Sequence, residues 1–157
     1  VMADASNHVA KVSLELGGKA PAIVCKDADI DLAVDSIINS RIDNNGELCN
    51  NCERVYVQED IAEEFTKKLV AKMAATTIGD PIEHENIGMG PLINKAAVEK
   101  VDAMVQRAVK AGAKVECGGK RPEGKGYFYP ATVVTNVKQS DELVQEEIFG
   151  PVLPILT

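Results

Sequence analysis

Apolar positions along this chain recur with two periods, one of two residues and one between three and four. Val12-Ser13-Leu14-Glu15-Leu16 alternates and predicts a short strand, which Gly17-Gly18 ends. Pro21 to Cys25 is a second short apolar run and reads as a buried strand. After Asp27-Ala28-Asp29, apolar residues recur at Ile30, Ala33, Val34, Ile37 and Ile38, a helical spacing with an aspartate available as N-cap. The pattern fades at Asp43-Asn44-Asn45-Gly46, which puts Cys49 in or just after a turn. Arg54 to Gln58 is rich in β-formers. Asp60 and Glu63 form a capping pair for a helix through Phe65, Leu69 and Met73, closed by Gly79-Asp80-Pro81. Pro81 to Pro91 reads as a long loop. Asn94 is placed to cap a further helix, with Ala97, Val98, Val101, Met104, Val105 and Ala108 on one face and Gly112 past its end. Lys114 to Cys117 reads as a strand, Gly118-Gly119 as a turn and Tyr127 to Val134 as another strand. Ile148 to Leu156 is apolar but carries Pro151 and Pro154, so it reads as an edge or irregular strand.

Strands alternating with amphipathic helices predict an α/β fold, a three-layer sandwich around a largely parallel sheet. No internal repeat, low-complexity tract or linker interrupts the pattern. Val1 to Val9 resembles the end of a helix and the chain stops inside an apolar run, so both ends read as cut.

Composition narrows the function. A chain of 157 residues, 45% apolar and 26% charged, is that of an ordinary globular domain. A net charge of -7, with lysines scattered among acids, argues against a nucleic-acid partner, which calls for clustered Lys and Arg. No apolar run approaches the ~18 residues of a membrane span, and Val1-Met2-Ala3-Asp4 lacks the features of a signal peptide. Cys25, Cys49, Cys52 and Cys117 are too few and too irregular for a secreted disulfide framework. Cys25 and Cys117 end apolar runs, where a small buried thiol is the usual occupant. The expected compartment is the reducing cytosol.

The candidate chemistry lies at Cys49, in Gly46-Glu47-Leu48-Cys49-Asn50-Asn51-Cys52, and at Glu15, beside Gly17-Gly18. An exposed thiol at a turn leading into helix-like backbone gains from N–H groups that favour the thiolate. The same N–H groups can stabilise the oxyanion formed when that thiolate attacks an aldehyde. A carboxylate such as Glu15 can then activate the water that releases the acyl group. On composition alone Cys49 is as readily a buried thiol and Glu15 an outward strand carboxylate. Cys49 and Cys52 also make a C-x-x-C pair, which admits a redox dithiol or half a zinc site. Cys25, Cys117, His8 and His84 are isolated in sequence and offer no second ligand pair. Glu47-Leu48 before the pair and Asn50-Asn51 within it do not fit a thioredoxin-like motif.

These residues resemble the aldehyde dehydrogenase superfamily. Leu14-Glu15-Leu16-Gly17-Gly18-Lys19-Ala20-Pro21 is similar to its glutamate signature, and Gly46-Glu47-Leu48-Cys49 with Arg54-Val55-Tyr56-Val57 to its cysteine signature. Gly88-Met89-Gly90-Pro91-Leu92-Ile93 and Glu146-Glu147-Ile148-Phe149-Gly150-Pro151-Val152 match two later blocks in the expected order, so the resemblance covers essentially the whole chain. It implies Cys49 as nucleophile and Glu15 as general base. Further, it implies that the Leu16 backbone contacts the nicotinamide carboxamide, Glu147 the ribose and Phe149 the ring. Lys100 would lie towards the adenosine side and Asn50 beside the substrate. The cofactor is NAD or NADP, with NAD favoured, and no metal is implied. The parent is expected to be a homo-oligomer acting on a small aldehyde.

Two positions depart from the pattern: Glu47 stands where Gln is usual, and Ile42 replaces an aromatic residue that borders the substrate tunnel. Ala20 to Val24 and Cys52 to Gln58 are most similar to the lactaldehyde and glycolaldehyde branch. Family members are several times longer, with the pyrophosphate loop and an oxyanion-hole asparagine expected upstream of Val1. Residues 1–16 therefore read as a remnant of the cofactor domain and residues 17–157 as a catalytic domain incomplete at its C-terminus. The alternative is a non-catalytic α/β binding or structural module that kept the signatures.

Overall fold

In the computed structural model, which describes residues 1–157, the chain runs α1 (Met2–Ser6), β1 (Ala20–Val24), α2 (Ile30–Ile42), β2 (Cys52–Val57), α3 (Glu59–Ala74), α4 (Lys95–Lys110), β3 (Lys114–Cys117), β4 (Thr132–Thr135), α5 (Glu142–Gln145) and β5 (Val152–Leu156). A tight 3-10 turn, Asp43–Gly46, follows α2 directly. The strands form one sheet in the order β1-β2-β5-β4-β3. Neighbours pair in parallel except for β3, which runs antiparallel to β4 at one edge. The α/β sandwich with a largely parallel sheet is the fold that the alternation of periods predicts.

Successive strand residues face opposite sides of a sheet, and β4 and β5 show what each side meets. Val133, Leu153 and Ile155 pack with Val34 and Ile37 of α2 and with Phe65 and Leu69 of α3. Val134 and Val152 pack with Val98, Val101 and Met104 of α4 and with Leu143 of α5. Helices therefore cover both faces, and the central strand β5 is apolar throughout rather than alternating. Two of the helix starts are set as their sequence predicts. The Asp29 carboxylate accepts the Leu32 N–H at 3.0 Å, and the Asn94 side chain accepts the Ala97 N–H at 2.9 Å. No helix is long and apolar enough to cross a membrane.

Several expectations are corrected. Val12 to Leu16 is not a strand. It lies exposed outside the sheet, because alternation without a partner strand leaves its backbone groups nothing to pair with. Asp60 does not cap α3; the helix begins at Glu59, with Gln58 in the cap position and no side-chain cap bond. That helix also stops at Ala74, before Gly79-Asp80-Pro81. Only Thr132–Thr135 of the apolar run beginning at Tyr127 pairs as β4, since Pro130 cannot donate to a ladder. β1 is a half-exposed edge strand rather than a buried one, with Ile23 facing solvent. Cys25 is exposed and Cys117 only half-buried.

The largest correction concerns the tail. β5 is the central strand, with all five residues buried between β2 and β4. Pro154 is tolerated where the pairing changes sides: residues 152–154 register with β4, and residues 155–156 with β2.

A buried carboxylate ties the loops at one end of this sheet together. Glu53, in β2, is 1% exposed. Its Oε2 accepts from Lys19 Nζ and from the Ile148 N–H, both at 2.9 Å. Its Oε1 accepts the Phe149 N–H at 3.0 Å and lies 3.3 Å from Arg41 Nη1. Arg41, fully buried near the end of α2, donates onward to the carbonyls of Cys52 at 2.9 Å and Gly46 at 2.6 Å. Gly46 has φ +79, and a Cβ there would lie 2.5 Å from the guanidinium and from the Gly150 carbonyl, so this closure requires glycine. Burial pushes the Glu53 carboxyl up, but Lys19, Arg41 and the two N–H donors outweigh it and hold it below its ordinary value.

Two predictions follow from this packing. Leu69→Ala, in the α3 face against the sheet, is expected to cost about 2–5 kcal/mol in urea unfolding. Glu53→Gln leaves Arg41 and Lys19 without their counter-charge and is expected to cost roughly 3–5 kcal/mol at neutral pH. Because folding lowers the Glu53 pKa, its contribution is complete above the ordinary carboxylate range and is lost as pH falls through the folded-state value. The stability gap between the native chain and Glu53→Gln should therefore narrow on acidification. A gap that stays constant from neutral to strongly acid pH would show that Glu53 is not ionised in the fold.

Candidate active site

Between α2 and β2 the chain reverses within a few residues. Asn44 and Asn45 take left-handed backbone (φ 45 and 58), which asparagine tolerates better than most residues. Their side chains hold the turn: Asn44 Nδ2 donates to the Glu47 carbonyl at 3.2 Å and Asn45 Nδ2 to the Pro91 carbonyl at 2.9 Å. Asn51 closes it, donating from Nδ2 to the Asp43 carbonyl at 3.0 Å and from its N–H to the Leu48 carbonyl at 3.3 Å. Cys49 and Asn50 sit at the tip of this braced loop, both exposed.

The turn feeds β2 directly, so the expected helix-like backbone after Cys49 is absent; the helical turn precedes it. The N–H groups of Cys49 and Asn50 have no acceptor within the chain. The two cysteines of the C-x-x-C pair are both free. Cys52 is buried, which pushes its thiol pKa up, and its Sγ lies 3.6 Å from the Arg54 carbonyl.

The Gly17-Gly18 segment, which forms no regular turn, passes between Cys49 and Glu147. Gly18 donates its N–H to Glu147 Oε1 at 2.8 Å. A Cβ at Gly18 would stand 1.9 Å from the Cys49 carbonyl oxygen, so only glycine permits this approach. The neighbouring Gly17 lies under the other Glu147 oxygen. Glu15 and Leu16 lead into this segment and are exposed, Leu16 by 71%.

Phe149, with φ 56, lines a cleft of about 320 Å³ together with Asn44, Asn45, Glu47, Pro91 and Ile93. Glu47 is a clamp on this cleft. Its two oxygens lie 3.2 and 3.1 Å from the Ile93 N–H, and burial raises its pKa despite that bond. Lys100 donates from α4 to the Glu147 carbonyl at 3.0 Å, so it supports the Glu147 turn.

The structure thus gathers Cys49, Asn50, the glycine segment that follows Glu15-Leu16, Glu147 and Phe149 at one end of the sheet. It adds three residues that sequence reasoning missed: Lys19, Arg41 and Glu53. Arg41 carried a readable signal, since it falls three and four residues after Ile38 and Ile37 on the apolar face of α2. A charge on a buried face implies a buried counter-charge. These residues fit a nicotinamide dinucleotide. Glu147 offers a part-exposed carboxylate for sugar hydroxyls, Phe149 a ring face, and the glycine pair a close approach of backbone to Cys49 and Glu147.

Known proteins share this fold. Lactaldehyde dehydrogenase of Escherichia coli (strain K12) is 53% identical over 156 residues, which are 99% of this chain and 33% of that protein. A crystal structure of lactaldehyde dehydrogenase from Escherichia coli matches with a TM-score of 0.94 at 53% identity, over 99% of this chain and 32% of that one. D-glyceraldehyde dehydrogenase (NADP(+)) of Picrophilus torridus is 48% identical over 98% of this chain and 31% of its own length. An NAD+ complex of aldehyde dehydrogenase from Bacillus cereus matches with a TM-score of 0.92 at 35% identity, over 99% of this chain and 31% of that one. The chain spans about a third of the length of the curated relatives it matches. The family match itself runs from residue 1 to residue 157, and this chain belongs to the aldehyde dehydrogenase family.

Proposed function

We propose that the protein oxidises a small aldehyde to a carboxylic acid with a nicotinamide cofactor, with Cys49 as nucleophile and Glu15 as general base. The observation that carries this reading is the glycine segment lodged between the exposed thiol turn and Glu147, where a Cβ at Gly18 would strike Cys49. That approach brings the Cys49 backbone and the Glu147 carboxylate to the same glycine, which supports a nucleophile close to a ribose-binding group. The fixed, exposed loop keeps Cys49 accessible, and the unpaired N–H groups of Cys49 and Asn50 can receive the oxyanion.

In this scheme the Cys49 sulfur adds to the carbonyl carbon, and the carbonyl electron pair moves to oxygen. The nicotinamide cofactor, when bound, supplies the acceptor for the hydride that this carbon gives up. A thioester on Cys49 remains. Glu15 takes a proton from water as its oxygen attacks that thioester, and the C–S bond breaks to restore the thiolate and release the acid. Glu147 and the Leu16 backbone orient the cofactor and Phe149 shields it, while Asn50 borders the substrate.

The similarity to lactaldehyde dehydrogenase favours a short hydroxyaldehyde, lactaldehyde or glycolaldehyde, as substrate. NAD is the preferred cofactor, a homo-oligomer the working form and the cytosol its place. Whether the signatures serve catalysis, rather than a binding or structural module, is decided by turnover.

In the full-length gene product, Glu15→Gln is expected to lower acid-forming turnover by roughly 10²–10⁴-fold. Alkylation of Cys49 by iodoacetamide should persist in that variant and vanish in Cys49→Ser. Unchanged turnover in Glu15→Gln would remove Glu15 from the mechanism. Residues 1–157 purified alone are expected to give no steady NADH signal with glycolaldehyde. They span about a third of the length of the curated relatives, and holding the reactants in register supplies much of the rate. Sustained NADH production by that segment would show that it contains the whole site.

A further inference from the structure

We infer that Glu53 is a positioning residue for the cofactor side of the site: by holding the Ile148 and Phe149 N–H groups it sets the Glu147 carboxylate and the Phe149 ring opposite the Cys49 turn. This rests on the reading that Glu147 and Phe149 meet the dinucleotide. The link itself is geometric.

Glu147 and Phe149 stand on either side of Ile148, and the backbone there is not free to choose its path. Phe149 occupies the left-handed region, which a bulky aromatic residue avoids unless its surroundings enforce it. The enforcing contacts are the two N–H bonds to Glu53, at 2.9 and 3.0 Å, made across 95 and 96 residues of sequence. Neutralising Arg41 would need a carboxylate but not those two bonds. They convert a buried counter-ion into a clamp on the turn that presents Glu147 and Phe149.

The other half of the clamp faces the thiol. Lys19, next to Gly18, shares Oε2 with Ile148, and Arg41 shares Oε1 with Phe149. Arg41 in turn grips the carbonyls of Gly46 and Cys52, on either side of Cys49. The spacing between the Cys49 turn and the Glu147 turn is therefore set through one side chain. The Gly18–Glu147 bond reports on that spacing without touching Glu53.

The test compares Glu53→Gln with Leu69→Ala, a buried core variant that takes no part in the Glu53 contacts, in the full-length gene product. NAD+ affinity is read by nucleotide titration and the local hold by hydrogen exchange over Gly17–Lys19 and Ile148–Gly150. Glu53→Gln is expected to weaken NAD+ binding by about tenfold and to speed exchange at Gly18 beyond its global loss of stability. Leu69→Ala should leave both at their native values once its lower Tm is allowed for. Equal NAD+ affinity in the two variants, or native exchange at Gly18 in Glu53→Gln, overturns the proposal. If Glu53→Gln does not yield folded protein, Glu53→Asp carries the same comparison, keeping the charge but withdrawing the oxygens by one methylene. A separate Glu147→Gln titration tells the two readings apart. Unchanged NAD+ affinity there removes Glu147 from the cofactor site, while accelerated Gly18 exchange in Glu53→Gln still demonstrates the clamp.

Discussion

Everything at the functional end of this sheet depends on one buried charge. Glu53 cannot be taken out of water unless its oxygens are matched, and the chain matches them with two cations and two backbone N–H groups drawn from three distant segments. Each of those segments borders a residue of the proposed mechanism. Lys19 follows the glycine segment, Arg41 precedes the Cys49 loop, and Ile148-Phe149 follows Glu147. Satisfying the carboxylate and assembling the site are the same event.

A hydrophobic residue of similar size at position 53 would pack without these demands, and buried ion clusters are often no more stable than apolar replacements. What the charge supplies here is geometry. An apolar side chain slides against its neighbours at little cost. A carboxylate with four donors at 2.9 to 3.3 Å has one arrangement that satisfies all of them. The cluster is still imperfect, because Arg41 Nε is buried with no partner. Burial also draws the Lys19 ammonium below its ordinary value despite the carboxylate beside it.

Local signals made α2, α3 and α4 legible from sequence, whereas the single turn of α5 carried none. The spacing of Val98, Val101, Met104 and Val105, with Asn94 as cap, is fully expressed in α4. Non-local facts were not legible. Alternation at Val12 to Leu16 is a strand signal only if another strand lies alongside, and none does. Two prolines made the tail read as an edge, yet β5 is the centre of the sheet because its pairing changes sides around Pro154. Cys49, Gly18 and Glu147 are far apart in sequence, and family resemblance linked them before geometry did. Glu53 carries no local signal of its own, because Arg54 and the β-formers after it account for a strand without it.

Cys49 and Cys52 show how the same side chain is given opposite exposure three residues apart. Cys52 is carried into β2, where burial raises its pKa and suppresses the thiolate. Cys49 is left at the loop tip, where the expected aid of a following helix is missing because a strand comes next. The N–H groups offered at the tip are therefore those of the loop itself. The bonds from Asn51 to Asp43 and Leu48 close the loop without using the N–H groups of Cys49 and Asn50. Those two donors remain available at the tip, held there by a loop whose ends are anchored through Arg41 to Glu53. The reactivity proposed for Cys49 is thus a property of how its loop closes, and that closure leads back to the buried carboxylate.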